Sequence, residues 1–567
     1  MGIVFGILVS FVQLLVLVGI VVFIVKAVAG RRGEQAATDS APVTLKRLFL
    51  FGSLYASLHA AAWGVAGLVA LLAEGVDGRG ERAAVPLAMT IVAVPILFFL
   101  GRWALRAVSD QQERGVAFAI YMNAALVTAF AVAMVTSIMT GSWLVGERGF
   151  PEMALASLLV WTPIWIGHWR LWRRYRRDVA NLHVYVGATA GLGTMAGFGG
   201  ALLVEIFSRL LDSGTALEVG RGTDPDLSTW IVGFAVGAAV FAWHWILTGT
   251  REERDTLWHA YVVLIGVLGG LITLVAGAGV TLFAVLQWWF GDPGTNSAVR
   301  HFEDFIPALA AVIVGAAVWF YHRRVLGPVA GPRTEVQRVY DYVVAAVGLV
   351  TAVVGVVILV IGFQEAVFPP EDSMTSEVDI LLGALTTLAV GAPLWAQSWR
   401  RINRFLRADE TAELISPTRR SYLFGIIGIG GVVAAVSLIV LLVTIFNSVL
   451  GDGNGELRNN IQVPVAMIVT VGAVAVYHLL LQRKEQKHLP VAPQRPKQVV
   501  LVTGSETLAG EVRALTGAGV TVLHRLDANG EVGDAGSVAA AVAASEFEDL
   551  LVVLGPEGAV QVIPYRR

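Results

Sequence analysis

Pro163-Ile-Trp-Ile-Gly-His-Trp-Arg170 and Pro393-Leu-Trp-Ala-Gln-Ser-Trp-Arg400 are two copies of one eight-residue signature, and each copy ends an apolar segment. Degenerate versions end four other apolar segments, at residues 95–102, 241–245, 319–323 and 475–478. This recurrence predicts that a two-helix unit has been copied about six times along the chain.

The composition indicates where these helices lie. The chain has 567 residues, of which 56% are hydrophobic and 15% are charged, and its mean hydropathy is +0.69. Apolar runs of about 20 residues cross a hydrocarbon layer as helices, which satisfy their own backbone groups there. The runs are too long and continuous for barrel strands. We therefore expect an all-α polytopic membrane helix bundle with a small C-terminal cytoplasmic α/β domain.

The apolar runs between charge clusters predict about 13 transmembrane helices. They lie near 3–26, 48–73, 85–107, 116–141, 153–172, 183–211, 227–249, 257–290, 305–326, 339–367, 380–403, 421–450 and 461–482. The first run has a small-residue stretch, Ala27-Val-Ala29, that resembles the cleavage site of a secretory signal. No basic residue precedes the run, and it is longer than a signal core, which favours a retained N-terminal anchor over residues 1–30.

The loops differ in charge. Most of the 41 Lys and Arg residues fall in one set of loops, as in the run Arg173, Arg174, Arg176 and Arg177. Positive loops stay in the cytoplasm, so the N-terminus is expected outside and the C-terminus inside, in a bacterial cytoplasmic (inner) membrane. The opposite loops are acidic, for example Glu371, Asp372, Glu377 and Asp379, and we interpret them as solvated rather than as a cation-attracting surface. The net charge of −2 gives no support for nucleic-acid binding.

The signature has a structural interpretation. Each unit also opens with a Tyr near the cytoplasmic end of its first helix: Tyr55, Tyr121, Tyr185, Tyr261, Tyr340 or Tyr342, and Tyr422. Trp and Tyr favour the headgroup level, and Arg extends just beyond it. We therefore predict an interface signature formed by Pro163, Trp165, Trp169, Arg170, Pro393, Trp395, Trp399 and Arg400.

Four aligned histidines are the only candidate metal ligands: His168, His244, His322 and His478. They could bind a metal or relay protons if they converged. However, Leu100 and Ser398 occupy the same column in the other units, and Arg follows close by. Anchoring and hydrogen bonding are favoured, and we predict no metal, no cofactor and no catalytic residue.

Other polar and small residues inside the spans are predicted to support packing. Glu205 and Arg209 form an intrahelical pair, and Asn123, Gln287 and Gln364 hydrogen-bond between helices; His59 with Ser53 and Ser57 is a modest functional candidate. The small-residue pairs predict close helix contacts, with hinges as the alternative; they are Gly187 and Gly191, Gly193 and Gly197, and Gly266 and Gly270, together with Gly425, Gly428, Gly430 and Gly431. The run 257–290 is long enough to require a tilt or a break.

The composition changes after the last span. Residues 485–496 form a Pro-rich linker, and 497–567 show an α/β pattern with strands at 499–503, 520–523, 550–554 and 560–563. The turn Thr503-Gly-Ser-Glu506 resembles an anion site, but a carboxylate there repels phosphate, and Ser505 is better interpreted as a helix cap. The chain has no cysteine, which excludes disulfides and thiolate sites.

The Tyr-led helix, the acidic turn and the returning helix that ends in Pro163-Ile-Trp-Ile-Gly-His-Trp-Arg170 resemble the bacterial membrane family catalogued as domain of unknown function 5671. The resemblance implies four-helix copies at 45–177, 180–326 and 336–484. The family has no assigned activity, so it implies an architecture and no catalytic residue.

Two classes of function remain. The first is a non-enzymatic membrane scaffold or sensor, embedded in the lipid bilayer, whose tail at 497–567 binds a cytoplasmic protein or small ligand. The alternative is a transporter or channel for a small solute or ion, since many transporters have internal repeats, although these two-helix repeats share one orientation. A lipid-modifying enzyme would need a buried polar cluster that these residues do not assemble. The oligomeric state is left open.

Overall fold

The structure is a computed structural model. It describes residues 41–73, 79–109, 116–146, 149–176, 179–212, 227–327, 333–367, 376–450, 457–488, 498–503, 506–524, 534–545, 547–554 and 559–565. The predicted anchor at 1–30 and the turn at 504–505 lie outside the described residues.

The first long helices are α1 (Ala41–Ala73), α2 (Arg79–Ser109), α3 (Val116–Leu144), α4 (Glu152–Tyr175), α5 (Leu182–Asp212) and α6 (Leu227–Phe241). They are followed by α7 (Thr256–Ala260), α8 (Gly270–Phe290), α9 (Ala298–Glu303), α10 (Ile306–Leu326), α11 (Glu335–Val367), α12 (Glu377–Ala408), α13 (Glu410–Leu414), α14 (Pro417–Leu450) and α15 (Leu457–Gln486). Within the described ranges, 11 helices are long and apolar enough to cross a membrane. The protein is therefore a helical, multi-pass membrane protein.

The 11 candidate spans differ from the predicted number in two places. The first predicted span lies outside the described residues. The span predicted at 153–172 is a continuous helix, α4, but it is not among the 11. Its second half carries Trp, His and Arg side chains, so it contains no uninterrupted apolar stretch as long as those of the 11 candidate spans.

Two π-helical segments interrupt the central hairpins, where the backbone hydrogen bonds skip one extra residue. One follows α6 at Ala242–Ile246, and the other joins α7 to α8 at Tyr261–Gly269. The second lies inside the run predicted to tilt or break. The long Thr256–Phe290 span therefore contains a local change in helical pitch.

Sequential helices pack as antiparallel hairpins, α1 with α2, α3 with α4, α5 with α6, and α8 with α10. Helices α11 and α12 also touch, because a Cβ atom added at Gly348 would lie 2.5 Å from the backbone nitrogen of Trp395. Large buried side chains fill the space between α1, α3 and α4, among them Phe51, Phe118 and Trp172. The first helix of each hairpin begins at the same end of the hairpin at which the second helix finishes. We call this end the signature end, because the signature motifs lie there.

The pattern of contacts between residues divides the chain into two compact units. The first comprises residues 1–403 and 428–474, and the second comprises residues 404–427 and 475–567. The second unit contains β1 (Gln498–Thr503), α16 (Glu506–Thr516), β2 (Gly519–His524), α17 (Ala535–Ala543), β3 (Asp549–Leu554) and β4 (Val560–Pro564). The sheet order is β2-β1-β3-β4, with β4 antiparallel to β3 and the other pairs parallel. The four predicted strands are confirmed to within one residue at most ends.

The two helices of this α/β domain cover one face of its sheet. Val499, Leu501, Leu550 and Val552 are buried on that face against α16 and α17. Strand residues alternate between faces, so the residues between them lie on the opposite face. Asp534 caps the start of helix α17, because its carboxylate accepts a hydrogen bond from the backbone N–H of Ser537 at 2.9 Å.

Candidate functional site

In three hairpins, a glycine on each helix lies against the backbone of the other helix, and these glycines occupy equivalent positions in the three hairpins. In the α5/α6 hairpin, a Cβ atom added at Gly191 would lie 2.4 Å from the nitrogen of Phe241, and one at Gly237 would lie 2.4 Å from that of Met195. In the α8/α10 hairpin the same distance is 2.6 Å from Gly270 to Trp319 and 2.4 Å from Gly315 to Leu274. In the α11/α12 hairpin it is 2.5 Å from Gly348 to Trp395 and 2.5 Å from Gly391 to Ala352. Real Cβ atoms do not approach backbone so closely, so only glycine permits these crossings.

One turn nearer the signature end, a second glycine leaves space for a signature histidine. A Cβ atom added at Gly187 would lie 2.3 Å from Cδ2 of His244, and one at Gly266 would lie 2.2 Å from Cγ of His322. Both imidazoles are at most 2% exposed. We call each glycine with its imidazole a histidine seat. The packing predicted for Gly187, Gly191, Gly266 and Gly270 is confirmed.

Each seated imidazole has a defined tautomer. Nδ1 of His244 lies 3.0 Å from the carbonyl oxygen of Val240, and Nδ1 of His322 lies 2.8 Å from that of Val318. Because a carbonyl oxygen only accepts, Nδ1 carries the proton and Nε2 carries a lone pair. In both residues Nε2 is buried and has no hydrogen-bond partner within the described ranges.

In the α11/α12 hairpin the larger side chain of the equivalent pair lies on the first helix and the smaller one on the second. Gly187 precedes the crossing glycine Gly191 by four residues, and His244 follows Phe241 by three. The same steps from Gly348 and Trp395 lead to Val344 and Ser398. A larger side chain on the first helix thus accompanies a smaller one on the second, which explains why the histidine column admits serine.

The first and last signature histidines have tyrosine neighbours. Nε2 of His168 accepts a hydrogen bond from the Tyr121 hydroxyl at 2.9 Å, because Nδ1 donates to the carbonyl oxygen of Ile164. His478 is buried, and its ring lies with its centroid 5.9 Å from that of Tyr422. A Tyr from the start of a hairpin therefore lies beside the signature histidine at these two positions, as Tyr261 does beside His322.

The histidines do not share one set of neighbours. The His244 ring packs against Phe130, Trp165 and Trp169, whereas the His322 ring packs against a different group, Phe241, Trp245 and Tyr261. Over the part of the chain that the structure describes, no group of three or more His, Cys, Asp or Glu residues is placed to hold a metal.

The signature tryptophans make contacts between successive hairpins. Trp165 and Trp169 of α4 pack against Trp243 with ring centroids 5.7 and 5.8 Å apart, and Trp245 donates from Nε1 to the Tyr321 hydroxyl at 3.1 Å. Trp169 and Trp399 are each 7% exposed. The remaining signature residues lie on α4 and α12, with Pro163 and Pro393 inside the helices and Arg170 and Arg400 exposed.

Buried polar links join chain segments at the signature end, and one of them was missed in the sequence. Asn123 accepts from both the backbone N–H and Nδ1 of His183, at 2.9 and 3.0 Å, which confirms its predicted interhelical bond. Asp341 lies 2.6 Å from Arg333 and 3.4 Å from Arg401. The sequence carries no signal for the Arg401 pairing, because that residue lies on the next helix of the hairpin.

At the opposite end, Asp379 corrects the prediction of a solvated acidic loop. Its side chain is buried and accepts from Nε2 of Gln287 at 3.1 Å and from the backbone N–H of Asp292 at 3.2 Å. The prediction was wrong here because the first turn of α12 packs against the end of α8. Glu377 is exposed as expected, and residues 371 and 372 lie outside the described residues.

Several smaller predictions have clear outcomes. Arg209 bonds Glu205 within one helix at 2.6 Å, and Gln287 and Gln364 both bond across helices, so these predictions are confirmed. Within the described residues, His59 and Ser57 bond carbonyl oxygens of their own helix, and the His59 ring packs against Trp161. Among the described residues a Cβ atom would meet nothing within 4 Å at Gly193, Gly197, Gly425, Gly428 and Gly431, so the close contacts predicted there are not seen in this part of the chain.

The fold defines the class as polytopic helical membrane proteins with a small α/β tail. The family model described as Domain of unknown function (DUF5671) matches residues 181–317 and 338–473, so the chain carries two matched copies of this domain. The resemblance seen in the sequence is confirmed, while the copy predicted at 45–177 lies outside the matched residues and stays a prediction. No curated protein and no solved structure matches the chain significantly.

Proposed function

We propose that the chain is a non-enzymatic membrane scaffold or sensor. Six two-helix hairpins, grouped as copies at 45–177, 180–326 and 336–484, would hold the α/β domain of residues 497–567 in the cytoplasm. The basic loops at the signature ends support this orientation in a bacterial inner membrane, with about 13 spans and an external N-terminus. The absence of cysteine makes the orientation easy to test with single introduced cysteines.

The face of the tail sheet that no described helix covers carries this proposal. Val500, Val502, Leu551 and Val553 lie on the face opposite α16 and α17, and their edge neighbours Leu523 and Ile563 are 52% and 37% exposed. The two central rows across the sheet contain no charged residue; they read Thr521-Val500-Leu551-Ile563 and Leu523-Val502-Val553-Gln561. Sheets built from parallel strands are normally covered on both faces. An exposed apolar face of this kind marks a binding surface.

A charge placed on this face tests the proposal. Val502→Lys in the full chain should abolish a specific cross-linked product of the tail domain, because burying an unpaired ammonium in an apolar interface is costly. Glu511→Lys on the exposed surface of α16 introduces the same side chain and is the matched control. An identical set of cross-linked products for wild type, Val502→Lys and a chain lacking residues 497–567 would refute the scaffold proposal.

A transporter or channel is the second candidate, favoured by one observation. The π-helical segments contain His244 in one hairpin and Gly266, the seat of His322, in the next. Both π-segments and ionisable residues inside a membrane tend to mark functional positions. Proteoliposomes with wild-type protein and with His244→Ser and His322→Ser variants would decide it. A flux that both substitutions reduce supports transport, and no flux across a panel of ions and small solutes eliminates it.

A further inference from the structure

A cavity of about 170 Å³ lies where α14 begins and α15 ends. Both helices are candidate membrane spans, Pro417–Leu450 and Asn460–Gln486, so the cavity lies at the boundary of the membrane. Boundary positions of this kind face lipid headgroups. Neither the seats nor the tail sheet contributes to its lining.

The charges around this cavity are not balanced. Arg419 is 1% exposed and binds Glu485 through two bonds, Nε to Oε2 at 2.9 Å and Nη2 to Oε1 at 2.5 Å. This bidentate pair neutralises both of its members. Arg420 differs, because it is exposed and only its Nε makes a contact, 3.4 Å from the carbonyl oxygen of Leu414. In the described part of the chain its terminal nitrogens have no acidic partner within salt-bridge distance, so its guanidinium can meet an anionic ligand.

The rest of the lining is apolar or amide. Leu414 and Leu423 are buried at the wall, and Phe424 is 59% exposed beside them. Gln482 and Gln486 add carboxamide N–H donors from α15. A guanidinium and amides next to an exposed aromatic wall match a ligand with an anionic head and an apolar chain.

We propose that this cavity binds an anionic phospholipid. The phosphate lies against the Arg420 guanidinium and the carboxamide of Gln482, and an acyl chain runs along Phe424. Because the cavity adjoins the last helix before the tail, a bound lipid would fix the end of α15 against α14.

The test uses the full chain in a neutral detergent, titrated with phosphatidylglycerol, with phosphatidylcholine or with inorganic phosphate, and bound lipid is counted by native mass spectrometry. Arg420→Gln should weaken phosphatidylglycerol binding about tenfold, because one charge-assisted hydrogen-bonded contact is lost. Arg483→Gln removes the same charge from an exposed residue of α15 outside the lining and should leave binding unchanged. Phe424→Ala should also weaken it, through the lost chain contact.

Three results would overturn the proposal. Equal weakening by Arg420→Gln and Arg483→Gln would mean that only the general surface charge attracts lipid. Binding of inorganic phosphate as tight as that of phosphatidylglycerol would mean a free-anion site. Equal retention of phosphatidylcholine and phosphatidylglycerol would exclude recognition of the anionic head.

Discussion

Gly187 and His244 fill one space between α5 and α6, so neither can be enlarged alone. The added methyl group of Gly187→Ala would lie 2.3 Å from Cδ2 of His244, whereas carbon atoms in contact normally stay about 3.5 to 4.0 Å apart. The ring would have to move by more than 1 Å, roughly the difference between these distances. It is held by its bond to the Val240 carbonyl and by the Phe130 ring, 5.1 Å away. Overpacking of this kind costs about 1 to 3 kcal/mol.

The size exchange at Val344 and Ser398 predicts how the damage is repaired. Gly187→Val should destabilise the protein near the upper end of that range, and His244→Ser should cost about 2 to 4 kcal/mol through the cavity it leaves. In the double variant the new valine occupies the space that the imidazole leaves. We expect the double variant to be more stable than the sum of the single effects by about 1 to 3 kcal/mol.

Reversible unfolding in a detergent mixture, followed by the fluorescence of the 16 tryptophans, measures these free energies. Gly193→Ala is the matched control on the same helix, since a Cβ atom there meets nothing within 4 Å. It should be neutral or stabilise by up to about 1 kcal/mol, because alanine restricts the unfolded chain and favours helix. Additive single effects, within about 0.5 kcal/mol, would refute the shared space.

Three further substitutions should each lower the free energy of unfolding in the same assay. Asp341→Asn leaves the buried guanidinium of Arg333, 6% exposed, without its closest counter-charge and should cost about 3 to 5 kcal/mol. Asp379→Asn replaces one carboxylate oxygen by an NH₂ group, so one of the two N–H donors of Gln287 and Asp292 faces another donor; this should cost about 1 to 3 kcal/mol. Tyr121→Phe removes the hydroxyl that binds His168 and should cost about 0.5 to 1.5 kcal/mol.

Each of these substitutions has a control of the same chemistry. Glu253→Gln removes an exposed carboxylate, Glu377→Gln removes an exposed one beside Asp379, and Tyr477→Phe removes a hydroxyl from a residue that is 45% exposed. These controls should change the stability by less than about 0.5 kcal/mol. A control as damaging as its buried counterpart would contradict the assigned hydrogen bond or ion pair.

Helix periodicity and the signature were sufficient to predict most of the architecture from the sequence. Long apolar runs and the recurring Trp and His positions located the helices and hairpins. These features can be read from the sequence because hydropathy and residue spacing are properties of one continuous segment. The four tail strands followed from alternation and turn residues.

Contacts between distant segments could not be predicted in the same way. Nothing in the sequence pairs Gly266 with His322 or Asp379 with Gln287, because both contacts depend on how two helices cross. The π-helical segment at Tyr261–Gly269 also has no local signal, and the sequence showed only that the span was too long. The exchange of Gly and His for Val and Ser became clear once the crossing at Gly348 fixed the register.

The central claim is that one helix crossing recurs in each matched copy of the domain, and that Val344 and Ser398 occupy in the second copy the place of the histidine seat in the first. Because the chain contains no cysteine, a Val344→Cys and Ser398→Cys double variant tests this claim by disulfide formation in native membranes. Oxidation should protect both thiols from a maleimide reagent. Cysteines at 350 and 398 should stay reactive, since Val350 is 58% exposed and lies further along α11. Equal protection of both pairs, or no protection of the first pair, would contradict the recurring crossing.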